Sequence, residues 1–243
     1  MGRGNVGPIE LRNTVDLVRE KLTKSIIDGT LEAGERIVEV QLARSMNISR
    51  GPLREACRLM EQQGLLESKP RRGFFVKEFG VDAINNLMQL RIALQVEAAR
   101  LAVGRMGEDG LTELQRRFDV LRSAIARGED VETTLDSSLD FHRLIFELTD
   151  NPRLLRAFDD MLPDIRLVSA YCNRFEQDQT GESDAFYLDN IPPLIAAFVT
   201  GDADKVAAAM REYLERVYKT HLSVYRDIKP ARAGAQGQRR GPC

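Results

Sequence analysis

From about Val81 to residue 228 the apolar residues of this chain recur only at helical spacing. Ile84, Leu87, Leu94, Ala98 and Leu101 mark one amphipathic segment; Leu111, Leu114, Phe118, Leu121 and Ile125 mark a second, closed by Gly128. Leu135, Leu139, Ile145 and Phe146 fall on a third, and Leu154, Phe158, Leu162, Ile165 and Val168 on a fourth. Leu188, Leu194, Ile195 and Phe198 give a fifth, before Gly201-Asp202, and Val206, Met210, Leu214 and Val217 a sixth. An amphipathic helix must bury its apolar stripe, and six of them with short connections predict an antiparallel six-helix bundle.

The first 80 residues carry a different pattern. Val15, Val18, Leu22 and Ile26 predict a helix stopped at Gly29, and a short helix follows around Val40–Ser45. After a turn at Asn47-Ile48, Ser49 is placed as N-cap of a third helix, with Pro52 in its first turn and Gly64 at its end. Two strand-like runs, Leu65–Lys69 and Phe74–Lys77, flank Pro70-Arg71-Arg72-Gly73 and read as a hairpin. Three helices and a hairpin describe a winged helix-turn-helix. The fold class is therefore mainly α, divided into a tail (1–8), a winged helix-turn-helix (9–78), a helical bundle domain (79–228) and a basic tail (229–243), both tails read as mobile.

Charge follows the same division. Residues 1–80 hold 14 Lys/Arg against 11 Asp/Glu, residues 81–228 hold 17 against 26, and the last fifteen add 4 basic groups. A mildly basic front on an acidic body points to different partners for the two parts. No apolar run approaches the ~20 residues that cross a bilayer, so no membrane role is expected. Three cysteines, Cys57, Cys172 and Cys243, lie far apart without CxxC spacing, which fits a cytoplasmic protein better than a disulfide framework.

On the third helix Arg50, Arg54 and Arg58 recur every four residues and line one face, while Leu53, Ala56, Cys57 and Met60 occupy the other. Guanidinium forks on one face suit guanine edges in the major groove or phosphates. Arg71 and Arg72 at the hairpin tip are placed to reach the neighbouring backbone, with Gly73 permitting the tight turn. A solvated arginine stripe is the plainer alternative. The runs Ile37–Ala43, Ile48–Ala56, Glu61–Leu66 and Arg72–Val76 resemble the DNA-binding domain of GntR-type bacterial transcription regulators over roughly residues 11–77. That resemblance implies that Ser49, Arg50 and Arg54 contact an operator, that Gly51 and Pro52 start the recognition helix, and that Gly73 lies in the wing. Gly51 stands where Thr is commoner, removing one hydroxyl to phosphate, and Val40 where some members carry a DNA-contacting Arg.

The rear bundle resembles the FCD ligand-binding domain of the FadR-like branch, through Leu90-Arg91, Phe141-His142, Asn151-Pro152, Gly201-Asp202 and Met210-Arg211. Six helices place it nearest the vanillate-repressor-like subgroup. Many such domains hold a divalent metal through an Asp and a His one turn apart plus two later His. Here His142 is present, but the matching positions are Ser138, Asn190 or Ile191, and Tyr213, and the chain has only two histidines. No tight metal site and no other cofactor is expected, leaving only a weak site at His142 with a carboxylate as the alternative.

Arg91, His142 and Tyr213 each fall in an inward stripe, and buried polar groups need partners. A small anionic metabolite supplies them in one reading, with Arg91 forking its carboxylate and Ser138, His142, Asn190 and Tyr213 completing the site. An internal network, with Arg91 paired to Glu97 or another acid and His142 and Tyr213 as satisfied core residues, is the other. His221 is placed at the surface, and Asn151 before Pro152 as a helix cap. The expected function is a metabolite-responsive repressor, not an enzyme: a homodimer on double-stranded DNA with an imperfect palindromic operator. An architectural DNA binder without effector, and a helical metal-dependent enzyme, are the alternatives.

Overall fold

A computed structural model describes residues 14–180 and 185–238, with side chains over 14–177 and 186–226. Two compact units divide at Glu78–Phe79. In the first, α1 (Thr14–Ile27), α2 (Glu39–Ser45) and α3 (Arg50–Gln62) precede a hairpin of β1 (Leu66–Lys69) and β2 (Gly73–Val76). β1 and β2 pair antiparallel, Leu66 opposite Val76 and Lys69 opposite Gly73. Arg36 bridges to Phe75 and adds a short third rung. The mainly α winged helix-turn-helix expected from the sequence is present, with strand ends within one residue.

α3 packs on both α1 and α2. Val18, Leu22 and Ile26 of α1 and Leu53, Ala56, Cys57 and Met60 of α3 are buried, so each helix contributes the stripe its sequence periodicity marked. Asn47 and Gly64 take positive φ (54° and 74°) and turn the chain before and after the recognition helix. At the wing, Arg71 adopts φ 62° and Gly73 φ 84°. Two left-handed residues within three positions produce a tight tip, and Arg71 bears that conformation without glycine's freedom.

The second unit is the six-helix bundle: α4 (Val81–Val103), α5 (Gly107–Ala126), α6 (Val131–Glu147), α7 (Pro152–Thr180), α8 (Ala185–Val199) and α9 (Ala203–Gln238). α4 packs on α6, α7 and α9, which makes it the central element. Asp130 caps α6 through the amide of Thr133 (3.0 Å), and Asn151 caps α7 through Arg153 (3.1 Å) and Leu154 (3.3 Å). A face-to-face pair of Phe146 and Phe158, centroids 4.4 Å apart, locks α6 to α7. An ionic lattice crosses the same surface, Arg117 reaching Glu113, Asp140 and Glu147, and Arg143 reaching Glu147 and Asp159.

Two expectations need adjustment. On α4 the buried face is Ile84, Met88, Arg91, Gln95, Ala98, Ala99 and Ala102; Leu87 and Leu94 lie at its margin. The small Ala98, Ala99 and Ala102 let neighbours approach closely and draw the axis of burial one residue round. The expected tail at 229–243 overlaps α9 over 229–238 and otherwise lies outside the described residues, as does the tail at 1–8. Among the described residues no helix is long and apolar enough to cross a membrane.

Candidate functional site

The first candidate surface belongs to α3 and the wing. Ser49, Arg50, Gly51, Arg54 and Arg58 are exposed, and Pro52 is half-buried in the first turn. Ser49 sits at the N-cap position (ψ 162°), yet its hydroxyl makes no capping hydrogen bond and stays open to a partner. Arg50 has a long ion pair to Glu39 at 3.6 Å. Arg54 and Arg58 make no ion pair among the described residues, and nothing in the fold holds them back from phosphate or base. In the wing, Arg71 and Arg72 are exposed. Lys69 and Arg72 lie 4.6 Å and 5.5 Å from the Phe75 ring centre, so the hairpin's own aromatic orients two cations. Cys57, on the buried face, has its thiol pushed up to about 12 by burial and then by Glu39, which leaves it unreactive.

The second candidate is a small cavity in the helical unit, partly open to solvent. Arg91, Ser138 and Tyr213, all singled out by the sequence, border it. So do Ser169, Asn173, Glu176, Tyr187 and His221 from α7, α8 and α9, which were not. Asn173 donates to the Tyr187 hydroxyl at 3.0 Å. His221 is buried rather than at the surface: α9 continues past it and Val224 and Tyr225 are buried too, so it faces the core. Its Nδ1 has no hydrogen-bond partner among the described residues, and burial first, then Arg91, lowers its pKa to about 3.

Arg91 is 3% exposed, and its alternative partner Glu97 is engaged by Arg100 at 2.7 Å and 2.9 Å. No carboxylate lies within ion-pair reach of Arg91 among the described residues. Burial lowers its pKa, against the opposing influence of Tyr213 and Tyr187. Its Nε donates to Gln95 Oε1 at 3.2 Å; Gln95 Nε2 meets His142 Nδ1 at 2.7 Å; His142 Nε2 meets Tyr213 Oη at 2.9 Å. Burial, then the charge of Arg91, holds His142 well below the ordinary histidine range, and burial raises the Tyr213 phenol. His142 thus stands behind the cavity wall, joined to it through Tyr213. Asn190 is not brought in: it donates to the Phe186 carbonyl (2.8 Å) and accepts from Arg216 (2.5 Å).

Those contacts bear on the metal expected of many such bundles. Both ring nitrogens of His142 are engaged by Gln95 and Tyr213, Ser138 replaces a carboxylate, and Asn190 faces elsewhere. Among the described residues no three His, Cys, Asp or Glu side chains converge. A hydroxyl, one engaged imidazole and a phenol do not fit a divalent ion.

Gln95 is a further residue that sequence reasoning missed. It lies one turn beyond Arg91, and the alanines at 98, 99 and 102 were the available signal for the buried face.

Comparison with known proteins agrees with this division. Residues 14–76 match the bacterial regulatory proteins of the gntR family, and residues 86–216 match the FCD domain. The chain is 32% identical over 152 residues to the HTH-type transcriptional regulator YdhC of Bacillus subtilis, covering 61% of this chain and 68% of that one. It is 26% identical over 198 residues to a probable D-xylose utilization operon transcriptional repressor of Paenarthrobacter nicotinovorans, covering 81% and 84%. The solved structure of E. coli McbR/YncC shares the fold, with a TM-score of 0.67 at 22% identity over 88% of this chain and all of that one. The chain belongs to the GntR family: it is a DNA-binding transcription regulator, not an enzyme, with an FCD effector-binding domain behind its winged helix-turn-helix.

Proposed function

We propose that this regulator is a cytoplasmic repressor whose hold on an operator changes when a small carboxylate-bearing metabolite enters the helical cavity. The observation that carries the reading is Arg91, a buried guanidinium on a cavity wall with no carboxylate to pair with. An unpaired buried charge is costly, and an anionic ligand offsets that cost. Ser138 and Tyr213 add polar contacts from the same wall, with His142 acting through Tyr213. Ser49, Arg50, Gly51, Pro52, Arg54, Arg58, Arg71, Arg72 and Gly73 form the operator-facing surface. A homodimer presents two such surfaces to the half-sites of an imperfect palindrome, and the ligand biases their arrangement. The naming of one relative as a repressor agrees with this direction of control. A ~100-fold change in operator affinity asks for ~2.7 kcal/mol of coupling between ligand and DNA, within the usual range for allosteric proteins.

The cavity favours this reading over a constitutive DNA binder, which has no use for a buried cation facing open space. Native mass spectrometry of gently purified protein, paired with operator binding by fluorescence anisotropy, tests it. The wild-type dimer is expected to carry a small organic adduct that shifts operator affinity when added in excess. Arg91→Met is expected to bind the operator normally, carry no adduct and lose the shift. A shift that survives in Arg91→Met removes the cavity from the mechanism.

A further inference from the structure

The chain of four polar groups through the bundle has a fixed direction. An arginine side chain can only donate, so Gln95 Oε1, 3.2 Å from Arg91 Nε, must accept. That orients the Gln95 amide and turns its nitrogen toward His142 Nδ1 at 2.7 Å, where only hydrogen is on offer and Nδ1 must accept. A neutral imidazole that accepts at Nδ1 carries its proton on Nε2. Nε2 lies 2.9 Å from Tyr213 Oη, so Tyr213 accepts from it. Tyr213 has no other hydrogen bond among the described residues, and it borders the cavity. Its own hydroxyl proton is therefore left to donate into that space.

We infer that Gln95 and His142 are positioning residues that make Tyr213 an obligate donor beside Arg91, so that the cavity is a metal-free receptor for an ionised carboxylate on a hydroxylated body. The inference rests on the reading of the cavity as the effector site and specifies what that site accepts. At the Arg91–Tyr213 end every group donates, which selects a deprotonated acid over its amide or ester. Beyond that end the walls change character. Ser138 and Ser169 carry hydroxyls with no hydrogen bond among the described residues, and each can give or take one. His221 is buried, faces the same space and has an unpartnered Nδ1, a second group in want of a ligand atom. Hydroxyl groups satisfy both kinds of wall. A second carboxylate does not, because Glu176 borders the cavity and no second arginine does.

Histidine count makes the relay directly measurable. The chain has only two histidines, so the full-length protein labelled with 15N-histidine gives two imidazoles, assigned with His221→Gln. Acetate serves as the carboxylate probe and Zn2+ as the metal probe. The expected spectrum shows His142 as the Nε2–H tautomer, shifted by acetate and untouched by equimolar Zn2+. Gln95→Glu, nearly isosteric, replaces a donor by an acceptor and is expected to move the His142 proton to Nδ1. Tyr213→Phe keeps the tautomer and lowers acetate affinity about tenfold, as loss of one hydrogen bond to a charged group does. An Nδ1–H tautomer or an imidazolium in the wild type overturns the relay, and needs no variant to fold. Silence toward acetate, or displacement of the Nε2 proton by Zn2+, overturns the metal-free carboxylate site. The expected tautomer and acetate response together with an Arg91→Met protein that still answers its metabolite on DNA counts instead against the regulatory reading, and leaves the relay standing.

Discussion

Arginine does opposite work in the two units. On α3 and the wing, Arg54, Arg58, Arg71 and Arg72 stand in solvent, where an unpaired guanidinium costs nothing and waits for phosphate or base. On α4, Arg91 is enclosed, and its position depends on Gln95, His142 and Tyr213 behind it. An exposed arginine can be added or removed almost independently of the fold. A buried one is part of a structure whose members must be changed together. The difference teaches that one residue type is made ready for a proposed partner by availability in the first unit and by prior arrangement in the second.

Acidification separates the two regions most strongly. His142 and His221 are buried neutral, with folded pKa values below the unfolded 6.5, and His221 down to about 3. As pH falls the unfolded chain takes up protons first, so stability is complete above about 6.5 and is lost as pH drops below it. With its folded pKa near 3, His221 contributes about 2 kcal/mol to the loss between pH 7 and pH 5, and His142 adds to it in the same direction. All five tyrosines lie in the helical unit and the chain has no tryptophan, so tyrosine fluorescence during urea unfolding reports that unit alone. His221→Gln should remove the share that His221 contributes and leave that of His142. A flat profile from pH 7 to 5 would mean the histidines are not buried neutral.

Arg54→Ala is expected to act in the other region only. Operator affinity falls by roughly 1–3 kcal/mol if Arg54 reads a base, while the urea midpoint stays put because the side chain is exposed and unpaired. Equal weakening on operator and random DNA makes it a phosphate clamp instead. A changed midpoint would contradict the independence claimed for the exposed arginines.

The same contrast decides what was legible before the structure. The proposed DNA-facing surface is contiguous: Ser49 caps the helix that carries Arg50 to Arg58, Pro70 to Gly73 form one turn, and their faces follow from local periodicity. The six helices were legible for the same reason. The cavity joins positions 91, 138, 169, 187 and 213, and its walls depend on which residues of five helices meet. Register one residue off on α4 hid Gln95. His221 looked like a helix end, because nothing local says that α9 continues and packs on α4 and α7. Asn190 enters only through its place in the family's metal pattern; it bonds the Phe186 carbonyl and Arg216 and is itself not among the residues that line the cavity.

The smallest expected effect tests the independence of the reading surface from the other side, by addition. Gly51 is exposed on the first turn of α3, and a Cβ there meets nothing closer than Ser49 Oγ at 4.0 Å. Gly51→Thr should therefore fit without rearrangement and restore a hydroxyl facing the DNA backbone. One added hydrogen bond is worth about 1 kcal/mol, or roughly a fivefold gain in affinity. Because a phosphate contact carries no sequence information, operator and random DNA should gain alike. Because a hydroxyl brings no charge, the slope of log affinity against log salt should stay the same. Gly51→Val supplies the same branched shape without the hydroxyl and isolates the benefit of a stiffer helix start, a few tenths of a kcal/mol. If Val matches Thr, the gain comes from the helix and the surface does not read phosphate at this position.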